Sequence, residues 1–341
     1  MLQSAQHVSG LSGFESAAAQ LDPEAAAVLA RLAAAPALGS LTAASARRAY
    51  SETRRPLAWP LEPVGAVEDY QRLGPGVPSL RLFRPKQANG ARSGQGLLTL
   101  IFLHGGGWTL GGLDVYEPLL RRMCNALQAN IVWVAYGLAP EHPFPAPLQD
   151  TLAAVRSLFH NAEKLGLDPS RIGIAGDSAG GNLAAVASLL NRYGQLGQRF
   201  ACQVLLYPCL DLTASLPSHR QFAAGYLLTA ETYAWYRGNY LQGINPTDWH
   251  LSPLFAREVV GLPPTIVLHA GFDPLRDEAL AYLERLRAAG VPLRELSFPG
   301  QIHGFLNMGA VLPQAGEAVE RLARAIPSLL AEAAPKRRRA G

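Results

Sequence analysis

The chain has 341 residues, 49% of them hydrophobic and 16% charged, with 30 Lys and Arg against 26 Asp and Glu and a formal charge of +4. That apolar share excludes intrinsic disorder, which requires low hydrophobicity and a large net charge, and the length suffices for one large domain or two ordinary ones. The composition also argues against stable membrane insertion. One of the two longest stretches without Asp, Glu, Lys or Arg, residues 93–113, holds seven glycines and only a short apolar run at 97–103, whereas a spanning helix needs about 20 mostly apolar residues.

Taken in chain order, residues 1–10 carry no Lys or Arg and no sustained apolar run, so they do not read as a secretory signal. Residues 15–55 are rich in Ala, and Asp22-Pro23-Glu24 reads as an N-cap, a first-turn Pro and an early acid opening a helix. Short alternating segments at 61–85, such as Leu80-Arg81-Leu82-Phe83, read as strands, and 91–96 reads as a flexible turn. From Leu97 the pattern changes to short buried strands, expected at 97–103, 131–136, 171–175, 201–207, 265–270 and 293–298. Helices are expected between them at 115–128, 148–165, 179–193 and 275–289, with a last one at 315–333. Apolar strands alternating with helices predict an α/β fold: a mostly parallel sheet covered on both faces.

One interval breaks the alternation. Between Tyr207 and Thr265 lies a long insertion with an aromatic helical stretch at 229–241, containing Tyr233, Trp235, Tyr236 and Tyr240. It reads either as a lid on the loop side of the sheet or as a surface helix packing its aromatics inward, and the two are compatible. Of the three cysteines, Cys124, Cys202 and Cys209, none forms a CxxC pair. Cys202 and Cys209 flank an apolar run and read as small core residues, and unpaired thiols suit a reducing, cytoplasmic compartment. Lys336, Arg337, Arg338 and Arg339 form a basic tail at 334–341 that reads as a solvated end. Without those four the body holds 26 basic and 26 acidic residues, so no basic face marks a nucleic-acid partner.

Three segments carry chemistry. Gly176-Asp177-Ser178-Ala179-Gly180 lies between an expected strand and an expected helix. GxSxG in that context lifts a serine hydroxyl onto a sharp turn at a helix N-terminus, where backbone N–H groups favour negative charge. His104-Gly105-Gly106-Gly107-Trp108 follows the strand at 97–103, and its glycines let N–H groups turn into a cavity where an oxyanion can develop. The spacing of Gly105, Gly107 and Gly111 is not GxGxxG and no GK[ST] follows, which disfavours a phosphate loop. A hydroxyl nucleophile needs a base, and the base an orienting acid. Asp273 and His303 follow the serine in order, each after an expected strand, where parallel sheets place their sites. Asp277 is a rival acid, set one turn into a helix, and suits a supporting role. His269 within a strand and His142 in a proline-rich loop read as structural. His7, His160, His219 and His250 have no strand-end placement. No HxxxH spacing or cysteine pair suggests a metal site.

HGGGW, GDSAGGNLA (176–184), DPLRDE (273–278), HGF (303–305) and LAPEHPFP (138–145) occur in order over residues 61–330. Together they resemble the hormone-sensitive-lipase-like carboxylesterases of the α/β-hydrolase superfamily. The resemblance implies the α/β-hydrolase fold with a helical cap formed by residues 1–55 and 209–255, and a catalytic core at 61–208 and 256–333. It implies Ser178 as nucleophile, His303 as base and then acid, and Asp273 as the orienting carboxylate. Gly106, Gly107 and Ala179 would supply the oxyanion hole, with His104 and Gly105 supporting the glycine loop. The family commonly has Arg before LAPE, where this chain has Gly137.

The function so implied is hydrolysis of short- to medium-chain carboxylic esters without a cofactor, the aromatic cap segment suggesting an apolar pocket. Two alternatives accompany it: amide hydrolysis on the same residues, as in an arylformamidase, and a non-catalytic receptor of the gibberellin-receptor kind. Such receptors lack the histidine that stands here as His303. Oligomeric state stays open, a homodimer included.

Overall fold

The structure is a computed structural model and describes residues 20–71, 73–86 and 96–334. The start of the chain, most of the turn expected at 91–96 and the basic residues 336–339 lie outside the described residues. Eight strands form one sheet in the order β1-β2-β4-β3-β5-β6-β7-β8. They are β1 (Ala66–Tyr70), β2 (Leu80–Arg84), β3 (Thr99–Leu103), β4 (Asn130–Val134), β5 (Ile172–Asp177), β6 (Gln203–Leu206), β7 (Thr265–Phe272) and β8 (Leu293–Ile302). Strand β2 runs antiparallel to both of its neighbours, and every pairing from β4 through β8 is parallel.

The central strands are apolar at successive positions because both faces are covered. In β3, Leu100 and Phe102 pack on one side with α3 (Leu113–Leu127) and α9 (Pro313–Ala333). Ile101 and Leu103 pack on the other with α4 (Ala146–Asn161), α5 (Ala179–Leu190) and α8 (Arg276–Ala288). Side chains alternate faces along a strand, so a strand buried on both sides must be apolar throughout. Each fully buried Leu, Ile or Phe contributes about 1.5–3 kcal/mol.

The expected alternation is present, with shifted ends. Strand β8 runs on to Ile302, past the expected 298, because Pro299 and Gly300 stay extended and the Gly300 carbonyl accepts the Asp22 N–H at 3.0 Å. Helix α5 stops at Leu190 instead of reaching 193, where Asn191 leaves the helical region. The Ala-rich N-terminal region resolves into α1 (Pro23–Leu32) and α2 (Ala43–Arg54), the latter capped by the Thr42 hydroxyl. The insertion between β6 and β7 carries the short α6 (Pro217–Gln221) and α7 (Ala230–Leu241). Among the described residues, no helix is long and apolar enough to cross a membrane.

Candidate active site

Ser178 stands between β5 and α5 with φ 53° and ψ −119°, a conformation that costs a non-glycine residue about 1–3 kcal/mol. The flanking glycines make the turn sterically feasible. A Cβ on Gly176 would lie 2.3 Å from the Gly180 carbonyl oxygen, and one on Gly180 would lie 1.9 Å from that of Leu103. The strained residue is pinned by its own backbone: its N–H donates to Leu206 at 2.9 Å, and its carbonyl accepts from Asn182 and Cys209 at 3.1 Å each.

The chain then brings together groups separated by 125 and 30 positions. His303 Nε2 lies 2.9 Å from Ser178 Oγ, and His303 Nδ1 lies 2.7 Å from Asp273 Oδ2. Asp273 is buried, and its other oxygen accepts the Leu275 N–H at 2.8 Å, which fixes the carboxylate plane. Burial disfavours a charged His303. The adjacent Asp273 charge and hydrogen bond outweigh that, with Asp177 and Glu278 adding to them, and the net shift is upward from 6.5.

The glycine loop lies beside the serine. Gly106 and Gly107 have φ of 108° and 59°, a region open to glycine. Among the described residues, no protein acceptor takes the N–H groups of Gly106, Gly107 or Ala179. Ala179 opens α5, so its N–H belongs to the unpaired first turn of a helix. His104 turns away from the serine. It stacks on Tyr136 at 4.4 Å, its Nδ1 is 2.8 Å from the Gly105 carbonyl, and burial pulls its pKa down to about 4. It is a neutral brace.

Asp177, a residue the motif left without a role, ties the loop to the serine turn. It accepts the Gly105 N–H at 2.7 Å and the Tyr116 hydroxyl at 2.9 Å. Burial raises its pKa to about 6 against those bonds. The sequence signal was an acid between two small residues at a strand end, where burial demands partners.

Gly106, Gly107, Asp177, Ser178, Ala179 and His303 line one cavity, shared with the N-terminal helices and α7. Tyr236 of α7 closes over the glycine loop so tightly that a Cβ on Gly107 would fall 2.1 Å from its ring. Tyr240 stacks on Trp108 with ring centroids 4.2 Å apart, and the Tyr233 hydroxyl donates to the Asp211 carbonyl at 3.0 Å. The aromatic helix therefore packs inward and walls the cavity at once.

A family model described as alpha/beta hydrolase fold matches residues 100–307. A curated relative, ethyl acetate hydrolase of Pseudomonas putida, is 33% identical over 293 residues, covering 84% of this chain and 90% of the relative. The chain belongs to the hormone-sensitive-lipase-like carboxylesterase family of α/β hydrolases. Carboxylic ester hydrolase LipN of Mycobacterium tuberculosis is 44% identical over 216 residues, and the match spans 61% of this chain but only 57% of LipN. The solved ester-hydrolase from the Lake Arreo metagenome superposes with a TM-score of 0.84 at 36% identity, covering 91% of this chain and 99% of that one.

Within this α/β hydrolase, Gly137 stands where the family commonly has Arg. Gly137 donates its N–H to Asp150 at 2.8 Å, and a Cβ there would meet His142 at 2.9 Å. A guanidinium reaches the loops at Thr109 and Ala139 from α2. Arg47 donates to the carbonyls of Thr109 at 2.8 Å and Ala139 at 2.9 Å, and pairs with both oxygens of Glu141. Only the fold reveals this, because 94 positions separate Arg47 from Glu141.

The rival residues go elsewhere. Asp277 accepts the Ser218 N–H and pairs with Arg276, supporting α6. His269 faces Glu295, His219 faces Glu278 and His250 faces Asp248. His142 packs at Gly137, His160 is exposed at the end of α4, and His7 lies outside the described residues. Among the described residues, no group of three or more His, Cys, Asp or Glu is arranged to hold a metal.

Proposed function

We propose that this protein hydrolyses carboxylic esters through an acyl-enzyme on Ser178. The carrying observation is the unbroken series from Ser178 Oγ through His303 to Asp273, at 2.9 and 2.7 Å, beside three unpaired N–H groups in one cavity. Ser178 Oγ attacks the ester carbonyl carbon while His303 Nε2 takes its proton. The N–H groups of Gly106, Gly107 and Ala179 hold the oxyanion, a contribution of about 2.7–4 kcal/mol for a single donor elsewhere. His303 passes the proton to the departing alkoxide. Water then attacks the acyl carbon, its proton moves to His303, and Ser178 regains it as the acid leaves.

Asp273 holds Nδ1 protonated and supports the imidazolium. Residues 1–55 and 209–255 act as the cap, an assignment supported by Leu38, Tyr50, Leu227 and Tyr236 on the cavity wall. The tight fit of Tyr236 over Gly107 favours short to medium acyl chains. Replacing Ser178 by Ala is expected to lower kcat on p-nitrophenyl butyrate by about 10³-fold or more. Retention of most activity in that variant would remove Ser178 from the mechanism.

A further inference from the structure

A second cavity, between the N-terminal helices and the stretch preceding α7, adjoins the one at Ser178. Leu38, Arg54, Leu227 and Thr232 line both, so any passage between them runs past these four residues. The outer walls are largely apolar, with Leu29, Leu32 and Pro36 on one side. Arg54, the last residue of α2, puts a fixed positive charge into this passage.

That charge has little to hold it. The Arg54 guanidinium lies over the Tyr50 ring at 5.3 Å, and its one hydrogen bond goes to neighbouring Thr53 Oγ1 at 3.4 Å. Among the described residues, no carboxylate lies within ion-pair distance of it. Arg47 on the same helix, by contrast, is held by Glu141 and two carbonyls. The acids nearest the passage are otherwise placed: Asp177 is bound by Gly105 and Tyr116, and Glu231 is exposed on the outer cavity. Arg55, the next residue, is exposed.

The half-buried Arg54 guanidinium keeps most of its donors free of protein acceptors on the wall of the Ser178 cavity. Those donors can take an anion of the substrate, in the two-point geometry that suits a carboxylate. We propose that Arg54 is a specificity-determining residue that selects esters carrying a carboxylate at the far end of an apolar spacer. This rests on Ser178 as the reacting group: the ester carbonyl occupies the inner cavity, the methylenes lie in the passage, and the carboxylate meets Arg54. The carboxylate can belong to the acyl or to the alcohol part of the ester, and the two are separable by experiment.

The test compares matched pairs. On the acyl side these are p-nitrophenyl hydrogen adipate and p-nitrophenyl hexanoate; on the alcohol side, 6-acetoxyhexanoate and hexyl acetate. The quantity read is the ratio of kcat/KM for the anionic ester to that for its neutral partner, which cancels any factor common to both. Arg54→Met is expected to lower this ratio by about 10- to 100-fold in one series, the scale of a charge-assisted hydrogen bond, and Arg54→Lys to restore part of it. An unchanged ratio in both series overturns the proposal. A binding readout separates it from the mechanism above: monoethyl adipate is titrated calorimetrically into Ser178→Ala with and without Arg54→Met. Weaker binding by about tenfold or more on loss of Arg54, with diethyl adipate unaffected by the same change, supports the anion site even if turnover fails. The same titration with 6-acetoxyhexanoate against hexyl acetate covers the alcohol side, and equal affinities for both anionic esters overturn it.

Discussion

In the proposed mechanism His303 must be neutral to accept a proton from Ser178 and charged to deliver it to the leaving group. Its pKa is shifted upward from 6.5 because Asp273 stabilises the imidazolium more than burial penalises it. The sign for activity follows: below the raised value the base is already protonated, so kcat/KM should climb as pH rises through an ionisation above 6.5. An activity plateau already complete at pH 6 would contradict this placement. For stability the sign is opposite. A histidine whose folded pKa is raised contributes fully below its unfolded value, and that contribution is lost as pH rises through the folded one.

At the scale of elements, two loops and a helix end must hold still around a strained serine. Helix α5 supplies the unpaired N–H of Ala179, and β5 delivers Ser178 at a turn whose glycines leave no room for side chains. The glycine loop has no regular structure to fix it, so it is held by Asp177 from β5 and by Arg47 from α2. The Arg47–Glu141 pair is half-exposed, with side-chain exposures of 28% and 51%, and such a pair is worth little alone. The bonds to the Thr109 and Ala139 carbonyls matter more, because those carbonyls belong to the two loops behind the site. Arg47→Met is expected to cost about 1–3 kcal/mol in urea unfolding and to lower kcat more than it raises KM. Arg47→Lys should recover little, since one ammonium cannot reproduce the fork. Full stability and activity in Arg47→Met would show that these loops hold themselves.

At the scale of the whole molecule, the N-terminal segment is fastened to the strand and loop that carry His303. Asp22 bonds Gly300 and Gln301, and the Trp59 indole donates to the Leu306 carbonyl at 2.7 Å while packing against Gly309. Such contacts cross up to 279 sequence positions, so the start of the described chain meets the strand and loop that carry His303. Trp59→Ala is expected to destabilise the protein by about 2–3 kcal/mol, the low end for a large aromatic because Trp59 is only partly buried. It should also broaden the acyl range by loosening the helix that carries Tyr50 and Arg54. Denaturant unfolding and graded p-nitrophenyl esters measure the two effects, and a variant unchanged in both would sever that link.

The sequence alone determined the α/β alternation and the identity of the residues that meet. Both are written in short-range terms: apolar strands read as buried on two faces, and Ser178, Asp273 and His303 each follow such a strand within a few residues. The tertiary structure alone decided what surrounds them. Asp177 gained its role from a backbone N–H 72 positions away, and Arg47 from loops beyond any local pattern. The aromatic stretch at 229–241 could be read as lid or as packing helix, and folding packs it inward, with Tyr236 against Gly107 and Tyr240 on Trp108. Among the described residues, the supposed apolar pocket has one cation on its wall without a carboxylate partner, Arg54, because α2 ends where the two cavities adjoin. Periodicity and motif spacing encode how a segment lies on its own sheet. Which distant segment covers it depends on chain topology, and no local pattern contains that.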